Sequence, residues 1–277
     1  LEVVRASRKL RSDSMFGDGV LEVCGMADIV FMALHGRCGE DGKVQAAFDL
    51  LGIKYTGSGH LGSAIAMDKD LTKRIVAPLG VLTPEWRFYS REELGGAEDI
   101  AGRTPLPCVV KPVDSGSSIG VDIARTREEL LNALAKAAAE GGSVVVERYI
   151  EGREIQIGIL DGRPLPSIEI RPLTGFYDYK NKYQPGAAEE ITPAPIPAEA
   201  EERLAKAALT VYDALGLSAY SRADFIYDAE GKFWFLEINP LPGMTPTSLV
   251  PQEAAVLGIS YPELCQRIID SSMEKYA

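Results

Sequence analysis

Residues 28–34 (Asp-Ile-Val-Phe-Met-Ala-Leu) form a nearly unbroken apolar run, which predicts a strand covered on both faces. It ends in residues 35–42, a loop by its glycines. A helix is predicted over 43–51 and a short strand over 53–57. This opening reads as the tail of an open α/β sheet, where ligands sit beyond the carboxyl ends of strands. His35 lies at such an end. A helix over 68–79 leads into a region with more strand-and-turn punctuation. There the pattern predicts a strand over 107–112, a small-residue loop over 113–120, a helix over 126–140 and a strand over 143–150. Thr126 and Glu129 form a capping box for that helix. Two hairpins follow: Asp161 and Gly162 join 154–160 to 165–170, and the turn 228–231 joins 219–227 to 232–239. Between them lie an irregular, proline-rich stretch over 172–197, of the kind that forms lids, and a helix over 198–215 stopped by Gly216. A helix over 262–276 closes the chain.

Charge narrows the function. The 277 residues carry 29 Lys+Arg against 40 Asp+Glu, a net charge of −11, which argues against nucleic acid or a membrane surface as partner. A locally basic pocket remains open. Cys24, Cys38, Cys108 and Cys265 lie far apart without CxxC spacing, so disulfides and a zinc site are not expected, and a reduced, cytoplasmic setting is. No apolar run approaches the ~18 residues of a membrane span, and no signal peptide is visible. The first residue is Leu1 rather than Met, so an element of the protein is expected upstream of it.

The sharpest chemistry sits on the second hairpin. Arg222 and Asp224 are two apart on one strand, as are Glu237 and Asn239 on its partner, and side-chain alternation puts each pair on one face. A guanidinium, two carboxylates and an amide then converge. Hard oxygens of this kind suit Mg²⁺, although a structural salt-bridge network has the same spacing. The abrupt turn Pro240-Leu-Pro-Gly243 tilts the reading toward an open site. Lys111 stands before Gly116-Ser-Ser-Ile-Gly120, a loop able to turn N–H groups onto phosphate, though not a Walker A loop. A plain surface loop reads the same. Lys69 starts a helix, and Glu147 and Glu154 bracket a link between strands. That link is either a polar linker or a set of acceptors for a nucleotide's amino group and ribose hydroxyls. His35 and His60 are the sole histidines, and no Ser-His-Asp or Cys-His arrangement can be argued. Residues 176–183 interleave aromatics with lysines, which in an acidic chain reads as a lid over an anionic substrate rather than an RNA-binding surface.

Taken in order, these motifs resemble the D-alanine–D-alanine ligase family of the ATP-grasp superfamily, from about Ala27 to the C-terminus. They are His35-Gly-Arg-Cys-Gly-Glu-Asp-Gly42, Met67-Asp-Lys69, Val110-Lys-Pro112 with Gly116-Ser-Ser118, and Tyr177-Asp-Tyr-Lys-Asn-Lys-Tyr183. Arg222-Ala-Asp224 and Glu237-Ile-Asn239 follow, running to Pro242-Gly-Met-Thr245 and Ser248-Leu249. The resemblance implies an α/β ATP-grasp fold of α+β lobes. A truncated open α/β lobe would span 1–66, and lobes over 67–150 and 151–277 would sandwich ATP.

By the same resemblance, ATP phosphorylates the carboxylate of a first D-alanine, and the amine of a second attacks the acyl phosphate. Lys69, Lys111 and the loop residue Ser118 would hold phosphates, with Lys182 reaching in from the lid. Glu147, Glu154 and the backbone of Tyr149 and Ile150 would contact adenine and ribose. Asp224, Glu237 and Asn239 would hold two Mg²⁺ (or Mn²⁺), and Arg222 would stabilise the acyl phosphate and tetrahedral intermediate. His35 would border the substrate, Ser248 and the Leu249 N–H would bind the second carboxylate, and Tyr183 would close on Ser117 to exclude water. The lid favours D-alanine over D-lactate or D-serine as second substrate. The remaining alternatives are a ligase using D-serine or another amine, and a non-catalytic nucleotide-binding regulator. Expected partners are ATP and D-alanine, with a homodimer and no nucleic acid or membrane. The family opens with a strand and a glycine-rich loop whose glutamate anchors the first D-alanine's ammonium. Residues 1–25 hold no counterpart, so that element is expected to lie before Leu1 or to be altered.

Overall fold

The structure is a computed structural model that describes residues 15–116, 120–140, 142–172 and 188–277. Two antiparallel sheets organise it. The first contains β1 (Trp86–Tyr89), β2 (Cys108–Pro112), β3 (Asp122–Ala124) and β4 (Val144–Arg148), in the order β1-β4-β2-β3. The helices Ala97–Arg103 and Arg127–Glu140 pack on it through Ile100, Leu130 and Leu134, which meet Val110, Val144 and Val146. The expected capping box is present: Glu129 N–H donates to Thr126 Oγ1 at 3.2 Å, and Thr126 N–H donates to Glu129 Oε2 at 3.1 Å.

The second sheet contains β5 (Arg153–Leu160), β6 (Arg163–Pro164), β7 (Ile168–Pro172), β8 (Ala188–Ile191), β9 (Tyr220–Tyr227) and β10 (Phe233–Asn239). Its path is β10-β9-β5-β7-β8, with β6 pairing β5. Alternation along β5 sends Ile155, Ile157 and Ile159 into the core with Ala223, Phe225 and Phe235. They meet the helix Ala198–Ala214, whose Leu204, Ala208 and Val211 recur at helical spacing. Each large side chain so buried stabilises the fold by about 1.5–3 kcal/mol. The opposite face of the sheet is thereby left to Glu154, Gln156 and Gly158.

The first hairpin differs in detail from its expectation. Asp161 (φ 53) and Gly162 (φ 64) both take the left-handed conformation that a two-residue hairpin turn requires. The strand they lead into is only β6, however, and pairing resumes at Ile168 rather than running through 165–170. Pro166 interrupts it, since proline has no N–H for a ladder. The stretch 172–197 is likewise not irregular throughout, because β8 pairs with β7 from Glu169–Ile191 to Pro172–Ala188.

The opening strand needs the larger correction. Among the described residues, 28–34 makes one parallel bridge, Val30 to Tyr55, rather than a strand along its whole length. Met32 is buried, but Val30, Phe31 and Leu34 are half-buried and Ala33 is exposed. Among the described residues its one strand-like neighbour is the 53–57 segment, and an apolar run does not itself show which layers pack over its two faces. The region is held instead by a core of Met32, Val44, Phe48 and Tyr55 against the C-terminal helix Tyr261–Met273. The helices His60–Met67 and Leu249–Val256 escape the periodicity reading because both are short.

Candidate active site

A β-bulge builds the centre of the site. From Phe233 to Phe235, β10 pairs with β9 in one register, with Phe235 opposite Phe225. An irregularity between Phe235 and Glu237 then shifts the pairing by one, so that Glu237 faces Asp224 and Asn239 faces Arg222. Cross-strand partners share a face. In the earlier register Glu237 would follow Phe235 into the core. The extra residue, Leu236, re-aims Glu237 and Asn239 to the opposite face and leaves Ile238 in the core. The expected convergence of Arg222, Asp224, Glu237 and Asn239 is present, but the bulge creates it rather than alternation alone.

Arg222 grips Asp224 through both ends, with Nε to Oδ1 at 2.8 Å and Nη2 to Oδ2 at 2.9 Å. Burial works against the guanidinium's charge, yet Asp224 and then Glu237 outweigh it and raise its pKa. Glu237 meets Lys69 Nζ at 3.1 Å, and Lys69 also donates to the Ser115 carbonyl at 2.5 Å. Asn239 accepts from the Leu241 N–H at 2.8 Å and donates to Glu40 at 3.3 Å. Two carboxylates and an amide oxygen are hard donors, each with lone pairs beyond those used here. Among the described residues no three His, Cys, Asp or Glu side chains gather as a complete metal cage. An ion held here needs phosphate oxygens and water to complete its shell, which is the habit of Mg²⁺.

A cavity of about 370 Å³ opens over this face, lined by His35, Lys69, Arg222, Glu237, Asn239, Ser248 and Leu249 among the expected residues. Ser248 precedes the helix Leu249–Val256, whose first N–H groups lack intrahelical partners and suit a carboxylate. Its Oγ accepts from the Thr245 N–H at 3.0 Å and lies 2.8 Å from Thr245 Oγ1. The hydrogen bond to Glu40 raises the pKa of His35 against the effect of its partial burial.

Lys111, Glu147, Tyr149, Ile150, Glu154 and Asp224 do not line this cavity. Asp224 is buried beneath it, on Arg222. Lys111 Nζ donates to Glu147 Oε2 at 2.8 Å, and the other oxygen faces Lys73 Nζ at 3.2 Å. Glu147 is 1% exposed and Lys73 is fully buried. Burial pulls the Lys73 pKa down to about 8, and the charges of Lys111 and Lys69 add to it against Glu147. For Glu147, burial is outweighed by Lys111 and Lys73, which hold its carboxyl below the usual range. Glu154 accepts from Gln156 Nε2 at 2.9 Å on the same sheet face. Tyr149 stacks under Arg125, 5.6 Å from the ring centre. Ser117, Ser118, Lys182 and Tyr183, with the expected lid, lie outside the described residues.

Sequence reasoning missed Glu40, Lys73, Gln156 and Glu253. Glu40 is 5% exposed, lines the cavity and accepts from the Gly36 N–H at 2.7 Å. Its place in the loop 35–42 was a signal, since a carboxylate among glycines and next to a cation is rarely idle.

Comparison with known proteins follows the same outline. A family model described as D-ala D-ala ligase C-terminus matches residues 75–270, and one described as D-ala D-ala ligase N-terminus matches residues 4–58. The second match begins well before Ala27, where the short motifs start. A D-alanine–D-alanine ligase of Anaeromyxobacter dehalogenans (strain 2CP-C) is 42% identical over 277 residues, covering 98% of this chain and 89% of the relative. One from Desulfotalea psychrophila (strain LSv54 / DSM 12343) is 44% identical over 254 residues, covering 90% and 79%. Among solved structures, D-alanine–D-alanine ligase from Bacillus anthracis complexed with ATP superposes with a TM-score of 0.80 at 37% identity, covering 92% of this chain and 82% of that one. The VanG D-Ala:D-Ser ligase from Enterococcus faecalis gives 0.79 at 35% identity, covering 89% and 73%.

Proposed function

The chain belongs to the D-alanine–D-alanine ligase family and has its ATP-grasp fold, and we propose that the cleft over β9 and β10 is where it joins two D-alanines. It is an ATP-dependent ligase that makes D-alanyl-D-alanine for peptidoglycan synthesis. The observation that carries the site reading is the bulge, which sets Asp224 against Glu237 and Arg222 against Asn239 beneath a cavity that Lys69 enters.

The lobes are taken as 1–66, 67–150 and 151–277, with ATP between the last two. Lys69 and Lys111 hold phosphate oxygens, joined by Ser118 and the lid residue Lys182. Glu154 faces the ribose. Because the Glu147 carboxylate is committed to Lys111 and Lys73, base recognition rests chiefly on the backbone at Tyr149 and Ile150. Asp224, Glu237 and Asn239 hold two Mg²⁺, with Mn²⁺ able to replace them. When bound, these ions neutralise charge building on the transferred phosphoryl group.

The carboxylate of the first D-alanine, near His35, attacks the γ-phosphorus, and ADP leaves. The amine of the second D-alanine then attacks the acyl carbon. Arg222, rigid on Asp224, stabilises the developing oxyanion without having to reorganise. The tetrahedral intermediate collapses to the peptide and inorganic phosphate, and the amine proton is lost. Ser248 and the Leu249 N–H hold the second carboxylate, and Tyr183 closes on Ser117 against water. We also propose a homodimer acting in the cytoplasm; light scattering should give twice the 29.9 kDa chain mass.

Phosphate release from Mg·ATP with D-alanine, L-alanine, D-serine and D-lactate, followed by product mass, tests this function. Strict D-alanine dependence and a dipeptide product are expected. Turnover with L-alanine, or none with D-alanine, contradicts it. Arg222→Ala should lower kcat by about 10²–10³-fold, the usual cost of losing an oxyanion donor. An unchanged kcat removes Arg222 from the mechanism.

A further inference from the structure

Glu253 has no part in the roles above and does not border the cavity. It lies one turn beyond Leu249 on the helix Leu249–Val256 and is fully buried. Its Oε1 accepts from the Gly158 N–H at 3.1 Å, while Oε2 is buried without a hydrogen-bond partner among the described residues. The β5–β7 ladder ends at Gln156–Ile168, and beyond it the Gly158 N–H is met by the Glu253 carboxyl group in place of a strand carbonyl. The glycine is itself required by this contact, since a Cβ there would fall 2.3 Å from Glu253 Oε2. Directly across from Gly158 on β9 stands Arg222. One carboxyl group therefore ties the helix that begins at Ser248 and Leu249 to the strand position beside the arginine of the reaction centre.

We propose that Glu253 is a positioning residue for the second amino acid, setting the distance between Arg222 and the helix end that holds the acceptor's carboxylate. The proposal rests on the reading that Ser248 and Leu249 form that subsite. Burial pushes the Glu253 carboxyl up to about 8, against the Gly158 N–H and Arg222. At neutral pH the group is largely uncharged, and glutamine is its isostere.

The test is initial-rate analysis that resolves the KM of each D-alanine and of ATP, for Glu253→Ala, Glu253→Gln, Gly158→Ala and Ser248→Ala. Removing the acceptor of a buried N–H, or wedging a methyl into the contact, should raise the second D-alanine's KM about tenfold or more, with the ATP KM within about twofold. Glu253→Gln should match the parent. An unchanged second KM in Glu253→Ala, or a Glu253→Gln variant as impaired as alanine, overturns the proposal. If Glu253→Ala does not fold by circular dichroism, Gly158→Ala decides on the same criterion. Ser248→Ala separates the two layers. A raised second KM there, with none in Glu253→Ala or Gly158→Ala, overturns the positioning role and keeps the subsite. No change in Ser248→Ala removes the subsite and the proposal with it.

Discussion

Lys69 and Lys73 lie one turn apart on the helix Lys69–Val76, yet they serve different sheets in different surroundings. Lys69 reaches Glu237 on β10 and lines the cavity. Lys73 turns to Glu147 on β4 and is sealed from solvent. Both lysines are buried, but the carboxylate partner of Lys69 is 26% exposed beside the cavity, whereas that of Lys73 is 1% exposed and sealed. The difference suggests how each part responds to damage. Losing a charge on the open face costs binding and turnover. Losing one in the sealed cluster leaves an uncompensated buried charge and costs the fold.

The sharpest way to break this contrast is to exchange Glu237 and Ile238. Glu237→Ile with Ile238→Glu keeps the composition but turns the carboxylate into the core beside Phe235, where a polar group buried without a partner costs about 2–7 kcal/mol. The expected result is loss of soluble, folded, active protein, read by near-ultraviolet circular dichroism and phosphate release. Retained activity contradicts the facing given to Glu237.

A paired substitution comes next. Glu147→Ala strands Lys73 and Lys111 and should lower unfolding free energy by about 3–5 kcal/mol in urea titration. Glu237→Ala, which leaves Lys69 its bond to the Ser115 carbonyl and the cavity beside it, should cost less stability than that while turnover collapses. Equal stability losses would erase the distinction between the two regions.

The pH dependence sharpens it further. The Lys73 pKa is pulled to about 8 in the folded chain, against about 10.4 when unfolded. Between these values the unfolded chain binds a proton that the folded chain has released, so stability rises with pH across that window. Lys275, also lowered to about 8 by burial, contributes in the same direction. Lys73→Met should therefore reduce the rise without abolishing it; an unaltered slope would show that Lys73 titrates normally.

The smallest effect is expected far from both clusters. Thr126→Ala removes the cap of the helix Arg127–Glu140 and should cost about 0.5–2 kcal/mol in thermal unfolding, leaving KM and kcat unchanged.

Which of these features the sequence announces follows from their physics. Local rules are legible: the Thr126–Glu129 box, the Asp161-Gly162 turn and the apolar face of Ala198–Ala214 each depend on residues a few positions apart. The four polar residues of the β9–β10 hairpin are visible by spacing, but the bulge is not, because one inserted residue has no signature apart from its pairing partner. The single bridge of Val30 with Tyr55 escaped because an apolar run does not reveal what covers it. Lys73 and Glu253 stayed hidden for a related reason. Their partners, Glu147 and Gly158, are distant in the chain, and a lysine or glutamate on a helix reads as solvent-facing until packing buries it.

The most direct measurement of the central claim follows the oxygen atoms of D-alanine. If the cleft activates the first carboxylate as an acyl phosphate, D-alanine labelled with ¹⁸O in its carboxylate must pass one labelled oxygen to the phosphate released for each dipeptide formed. Mass spectrometry of that phosphate should show the single label. Unlabelled phosphate, released alongside dipeptide, would contradict the account.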